Sequence, residues 1–156
     1  MRDLETSLPF IHHLRAEHTH LNQAVRELRN AVLAPVTGTS ALVDWQRAVA
    51  GMARALREQL VHHFAEEEAG GCLEEAVCRC PSLAGDMEQL EKEHPTLLAK
   101  LDHLLALAER PSRRPGLAAQ LRAAFDELAQ ALMAHEEREH KLVERGLSYA
   151  TEDVDP

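Results

Sequence analysis

Six residues of this chain have the types and spacing to hold metal ions: His18, His63, Glu67, His94, His135 and Glu139. Each imidazole offers a ring nitrogen and each carboxylate can chelate or bridge, and such mixed sets suit iron, zinc and manganese. His63 with Glu67, and His135 with Glu139, stand four residues apart, the interval that puts two side chains on one face of an α-helix. That spacing alone is weak evidence, because His13 with Glu17, His62 with Glu66 and His140 with Glu144 repeat it. The surrounding apolar periodicity makes the selection.

Ile11, Leu14, His18, Leu21, Val25, Leu28 and Val32 recur at steps of three and four, the buried stripe of a bundle helix. A second segment gives Val49, Ala53, Leu56, Leu60, His63 and Glu67, and a third gives Met87, Leu90, His94, Leu97, Leu101 and Leu104. The fourth reads Leu121, Ala124, Leu128, Leu132, His135, Glu139 and Leu142. Each stripe carries one histidine, and only the pairs starting at His63 and His135 fall on a stripe. His12, His13, His20, His62 and His103 fall off them and read as surface residues.

Breaker-rich stretches at Pro35 to Ser40, Gly70 to Pro81 and Arg110 to Gly116 separate the four segments. The pattern predicts an all-α fold, an antiparallel up-down four-helix bundle with short connections. Ser7 is placed to cap the first helix with Pro9 just inside it, and Ser82 to cap the third. Residues 1–150 read as one domain, and 151–156 as a disordered acidic tail, since the chain beyond Leu147 is poor in apolar residues.

An internal repeat runs through the same positions. Glu17-His18 with Leu21 matches Glu93-His94 with Leu97, and Leu60, His63 and Glu67 match Leu132, His135 and Glu139. Two similar helical hairpins follow. In an antiparallel hairpin, residues at one height are equidistant from the turn, and the midpoints between successive histidines fall at Ser40, near Cys78 and near Arg114. All three lie in predicted connections, so the four histidines belong at one level. A buried polar group without a partner costs about 1–3 kcal/mol, and an unpaired carboxylate more. Metal binding compensates all six.

Composition narrows the rest. The net charge of −9, with 26 acidic against 17 basic residues, argues against a nucleic-acid surface. No apolar run approaches the roughly 20 residues of a membrane span, and the first residues lack a signal-peptide core. Cytoplasmic residence is expected. Cys72, Cys78 and Cys80 crowd one segment, unlike a paired disulfide framework. They admit a zinc or redox role, although packing as small hydrophobes is the stronger reading without a Cys-x-x-Cys or a local histidine.

The ordered set His18, His63-x-x-x-Glu67, His94 and His135-x-x-x-Glu139 resembles the hemerythrin-like HHE cation-binding proteins, over about Leu8 to Leu147. The resemblance implies an up-down bundle around two non-haem iron ions, oxo- or hydroxo-bridged. Glu67 and Glu139 then bridge the ions, and the four histidines are terminal ligands. Two departures from oxygen carriers stand out. Leu98 occupies the position of a further histidine, and His140 stands five residues after His135, where carriers use an aspartate. Helical geometry favours Glu139, and His140 reaches a metal only if the helix is locally distorted. A ferritin-like centre needs Glu-x-x-His motifs on two helices, and those here lie mostly off the stripes.

The function expected is binding or sensing of a small ligand, O2, NO or peroxide, at the His/Glu centre, through a protein partner the sequence does not identify. A di-iron enzyme for peroxide reduction or NO detoxification is the alternative, and an iron-storage or structural metal-binding domain, with zinc or manganese as possible occupants, is a third. Nothing in the sequence supplies a clear acid–base pair beside the metals.

Overall fold

The computed structural model describes the backbone of residues 2–110 and 112–152 and the side chains of 11–38, 40–110 and 112–148. Four long helices, α1 (Arg2–Leu33), α2 (Thr39–Glu68), α4 (Ala84–Glu109) and α5 (Leu117–Glu152), form the bundle, and a short α3 (Cys72–Arg79) and a 3-10 turn (Pro81–Leu83) link its halves. Among the described residues there is no strand. Packing runs around a ring, α1 on α2, α2 on α4, α4 on α5 and α5 back on α1. None of these helices is long and apolar enough to cross a membrane.

The three- and four-residue stripes produce this packing. Every stripe position named above is buried or half-buried, because a 3.6-residue repeat brings those side chains onto the inward face. The apolar interior forms two clusters. The larger runs from Leu28, Leu56, Leu104 and Leu121 up to Leu21, Leu60, Phe64, Leu97 and Leu132. The smaller gathers Leu14, Leu73, Ala76, Leu83, Leu90, Leu142 and Val143 beneath α3. On α1, α4 and α5 the histidine lies between residues of the two clusters, and on α2 His63 and Glu67 follow the larger one, so the polar layer has an apolar plug on either side.

Several local expectations are corrected. Ser7 does not cap α1: the helix continues through Ser7 and Pro9 to Arg2. Nor does Ser82 cap the third long helix. It sits inside the 3-10 turn, where Pro81 supplies the fixed φ, and its Oγ lies 3.2 Å from Cys80 Sγ. The stretch from Gly70 to Pro81 is not all loop, since Cys72–Arg79 is helical, with Glu74 and Glu75 in the first turn and Arg79 in the last. Gly70, at φ 101°, provides the left-handed turn that separates α2 from it. Helix α5 extends to Glu152, and residues 153–156 of the expected tail lie outside the described residues.

Helix α3 is held against α5 by a contact that only glycine permits. A Cβ on Gly146 would lie 2.6 Å from Ala76 Cβ and 2.9 Å from the Ala76 carbonyl oxygen. Gly51, by contrast, faces open space in α2. Gly146→Ala should therefore lower the unfolding free energy by about 1–3 kcal/mol through overpacking. Gly51→Ala should leave it unchanged or raise it by about 0.5–1 kcal/mol, since alanine is the better helix former. Chemical denaturation of the two variants reads the difference in sign.

Candidate metal centre

Each bundle helix delivers its part of the set from the inward stripe. His18 comes from α1, His63 and Glu67 from α2, His94 from α4, and His135 and Glu139 from α5. Their ligand atoms form two overlapping groups, each within 4.8 Å: His18, His63, Glu67 and Glu139, and Glu67, His94, His135 and Glu139. Both groups share the two glutamates. The site is deeply buried, with Glu139 fully inaccessible and His135 1% exposed.

Inside the layer, His63 Nε2 lies 2.9 Å from Glu67 Oε1, His94 Nε2 3.3 Å from Glu67 Oε2, His18 Nε2 3.1 Å from Glu139 Oε2 and His135 Nε2 2.6 Å from Glu139 Oε1. Distance alone would pair these atoms, but the angles do not. Seven buried atoms, Nε2 of His18, His94 and His135 and both oxygens of Glu67 and of Glu139, have no hydrogen-bond partner. All seven belong to this one layer, and each would cost about 1–3 kcal/mol if neither a bound cation nor ion pairing with a protonated imidazole satisfied it. Divalent cations fit this donor set: nitrogen and oxygen ligands in two four-membered groups with common carboxylates.

The opposite ring nitrogens are fixed from outside. His63 Nδ1 donates to Glu17 at 3.1 Å, His94 Nδ1 to Glu68 at 2.7 Å and His135 Nδ1 to Glu93 at 2.8 Å. Arg138 holds Glu93 in turn, at 2.7 Å. With the proton on Nδ1, the Nε2 lone pair is left pointing inward, and the carboxylate raises its basicity. Phe64 completes the wall, stacked on His94 at a centroid distance of 3.9 Å and edge-on to His135.

The Glu-His repeat in the sequence contains two of these supports, but their connectivity was not readable. Glu17 serves not its neighbour His18 but His63 on the next helix, and Glu93 serves His135 rather than His94. Glu68 had no sequence signal beyond lying next to Glu67. Its counterpart in the second hairpin is His140, which is exposed and paired with Glu144 at 3.4 Å. His140 therefore does not join the layer. His12, His13, His20, His62 and His103 are exposed, as their off-stripe positions require. Cys72 is half-buried, Cys78 exposed and Cys80 buried, all as free thiols. Burial and the carboxylates of Glu75, Glu67 and Glu139 push the Cys72 thiol up to about 11, which withholds the reactive thiolate.

Charge balance without metal is visible in the titration of the layer. Burial would lower the His63 pKa, but Glu67 and Glu139 outweigh it and push it up to about 9. For His135 burial again opposes, and Glu139 beside it wins, so the pKa is raised. Glu139 is lowered because His135 and His18 overcome its desolvation. Protonated imidazoles thus stand in for cations.

A family model described as the hemerythrin HHE cation binding domain matches residues 9–146. No curated protein and no solved structure matches the chain.

Two outcomes follow from this geometry. Because the folded pKa of about 9 for His63 exceeds the 6.5 of an ordinary histidine, its stabilisation is complete below the latter and lost as pH rises through the former. The melting temperature of metal-free protein should fall across that window, while the gain on adding metal grows, because protons no longer compete for the ligands. Calorimetry with and without chelator measures both. Glu93→Ala and Glu68→Ala should each weaken metal affinity about 10–100-fold in chelator competition without preventing folding.

Proposed function

The chain belongs to the hemerythrin HHE cation-binding family, and from that premise we propose that it holds two non-haem iron ions and uses them to bind or sense O2, NO or peroxide. The observation that carries this reading is the set of seven unpartnered buried atoms, all of them on the ligand residues. His18 and His63 would hold one ion and His94 and His135 the other, with Glu67 and Glu139 available to both. Iron there supplies a Lewis-acidic, redox-active centre for a small ligand.

The protein's own contribution is orientation and exclusion of water. Glu17, Glu68 and Glu93 lock three imidazoles in one tautomer, and Phe64 and the flanking leucines keep bulk solvent out. His18 is the more open ligand, with a side chain 13% exposed against 5% or less for the other three histidines. The hairpin position that supports His94 through Glu68 is occupied by the outward-facing His140, so no carboxylate from that position holds His18. An incoming ligand is therefore expected on the His18 side.

A second reading, a di-iron oxidoreductase acting on peroxide or NO, draws on Glu136. Burial raises the pKa of its carboxyl, against the influence of His18 and of the Asn22 amide that donates to it. Its carboxyl is thereby biased toward the protonated form beside the centre. Peroxide turnover that is lost in Glu136→Gln while metal content stays unchanged would select this reading.

Protein expressed in iron-replete medium should contain two metal ions per chain by elemental analysis, with ferric absorption in the near ultraviolet. Glu139→Ala should lower the metal content sharply. His140→Ala should leave both ions bound. One ion per chain, a colourless zinc protein, or a centre emptied by His140→Ala but not by Glu139→Ala would overturn the di-iron assignment.

A further inference from the structure

A second cluster of side chains able to ligate metal, His13, Glu17 and Glu66, lies just outside the centre. His13 Nε2 is 3.4 Å from Glu17 Oε1 and 3.7 Å from Glu66 Oε2, and the three residues offer ligand atoms within 4.8 Å of one another. The same three residues line a cavity of about 300 Å³, with Leu14, Cys72 and Glu67 among its other walls. Glu67 is the decisive member. Its side chain is only 7% exposed, both of its oxygens lack a partner, and it belongs to both groups of the centre.

We propose that His13, Glu17 and Glu66 form a loading site where divalent metal ions are first captured before passing along this cavity to Glu67. This inference rests on the reading of the inner layer as a metal centre. One imidazole and two carboxylates neutralise a divalent cation while leaving several of its positions to water, so binding is weak enough for release. The exposure of His13 and Glu66 lets a hydrated ion approach, and the negative cluster concentrates cations at the cavity mouth. Glu17 joins the two sites. One of its oxygens faces His13, and the other accepts from His63 Nδ1 at 3.1 Å, so an ion held outside is one carboxylate away from a ligand of the centre. Glu67 lines the same cavity and belongs to both inner groups, so it connects the outer cluster to the centre.

Metal-free full-length protein and Co2+ provide the test, with stopped-flow visible absorbance for uptake and equilibrium titration for stoichiometry. His13→Ala and Glu66→Gln alter exposed residues and leave the six inner ligands intact. Both variants should reach the same final inner-site spectrum and melting temperature as the parent protein, but fill about tenfold more slowly, the lower range of electrostatic focusing. The parent should also bind a weaker additional Co2+ ion that both variants lose. Glu58→Gln, which removes an exposed charge from the neighbouring α1–α2 groove, also lined by Glu17 and His63 but outside the His13–Glu17–Glu66 cluster, should fill at the parental rate. Equal filling rates in parent and variants, no additional ion in the parent, or equal slowing by Glu58→Gln would overturn the loading site while leaving the centre intact. Failure of the parent to take up Co2+ at the inner ligands would instead remove the metal-centre reading on which it rests.

Discussion

Placing two carboxylates and four imidazoles in one layer of a helical bundle imposes a charge balance that the rest of the fold has to respect. An isolated ion in such an interior faces a large desolvation penalty, so positive charge must sit between Glu67 and Glu139, either on imidazolium groups or on bound cations. The arrangement of the apolar core follows. One leucine-rich cluster closes the layer from the side of Leu21, Leu60, Leu97 and Leu132, and a smaller one closes it from the side of Leu14, Leu90 and Leu142. Helix α3 exists in this sense as a lid on the second cluster, and the Gly146–Ala76 approach brings it close enough to seal.

The two hairpins repeat the same ligands and one of the glutamates that support them. His18 and His63 meet at 5.2 Å and 71°, and His94 and His135 at 5.1 Å and 73°. Glu17 and Glu93 repeat the same cross-helix hydrogen bond. The symmetry ends at Glu68 and His140. A carboxylate at the first position reaches His94, whereas the imidazole at the second turns outward to Glu144. Two nearly identical ligand sets are thus placed in unequal surroundings, and the inequality comes from the residue after each shared glutamate, and from Phe64 against its counterpart Glu136, rather than from the ligands themselves.

The candidate ligands were legible as one inward layer in the sequence because they interrupt an apolar stripe, and a stripe is a one-dimensional record of which helix face turns inward. His63 and Glu67 could be chosen over His62 and Glu66 on phase alone. The same reasoning could not assign Glu17, Glu68 and Glu93, since their partners lie on neighbouring helices and depend on how one helix is rotated against the next. Helix α3 escaped notice for a different reason. Its eight residues are framed by Gly70-Gly71 and by Cys80-Pro81, so the breakers at its ends dominate the local pattern. Ser7 and Ser82 show the converse, a good capping residue that the backbone does not use because the helical path begins elsewhere.

Each four-ligand group takes one glutamate from the first hairpin and one from the second, while each hairpin owns only three of the six ligands. Neither half of the chain can therefore close a site by itself. In its chemistry the protein is an intramolecular dimer, with the shared carboxylates acting as cross-braces between two subunits that happen to be joined by α3. A cation held by the shared carboxylates would tie these halves together across the polar seam, where neither hairpin alone supplies enough ligands.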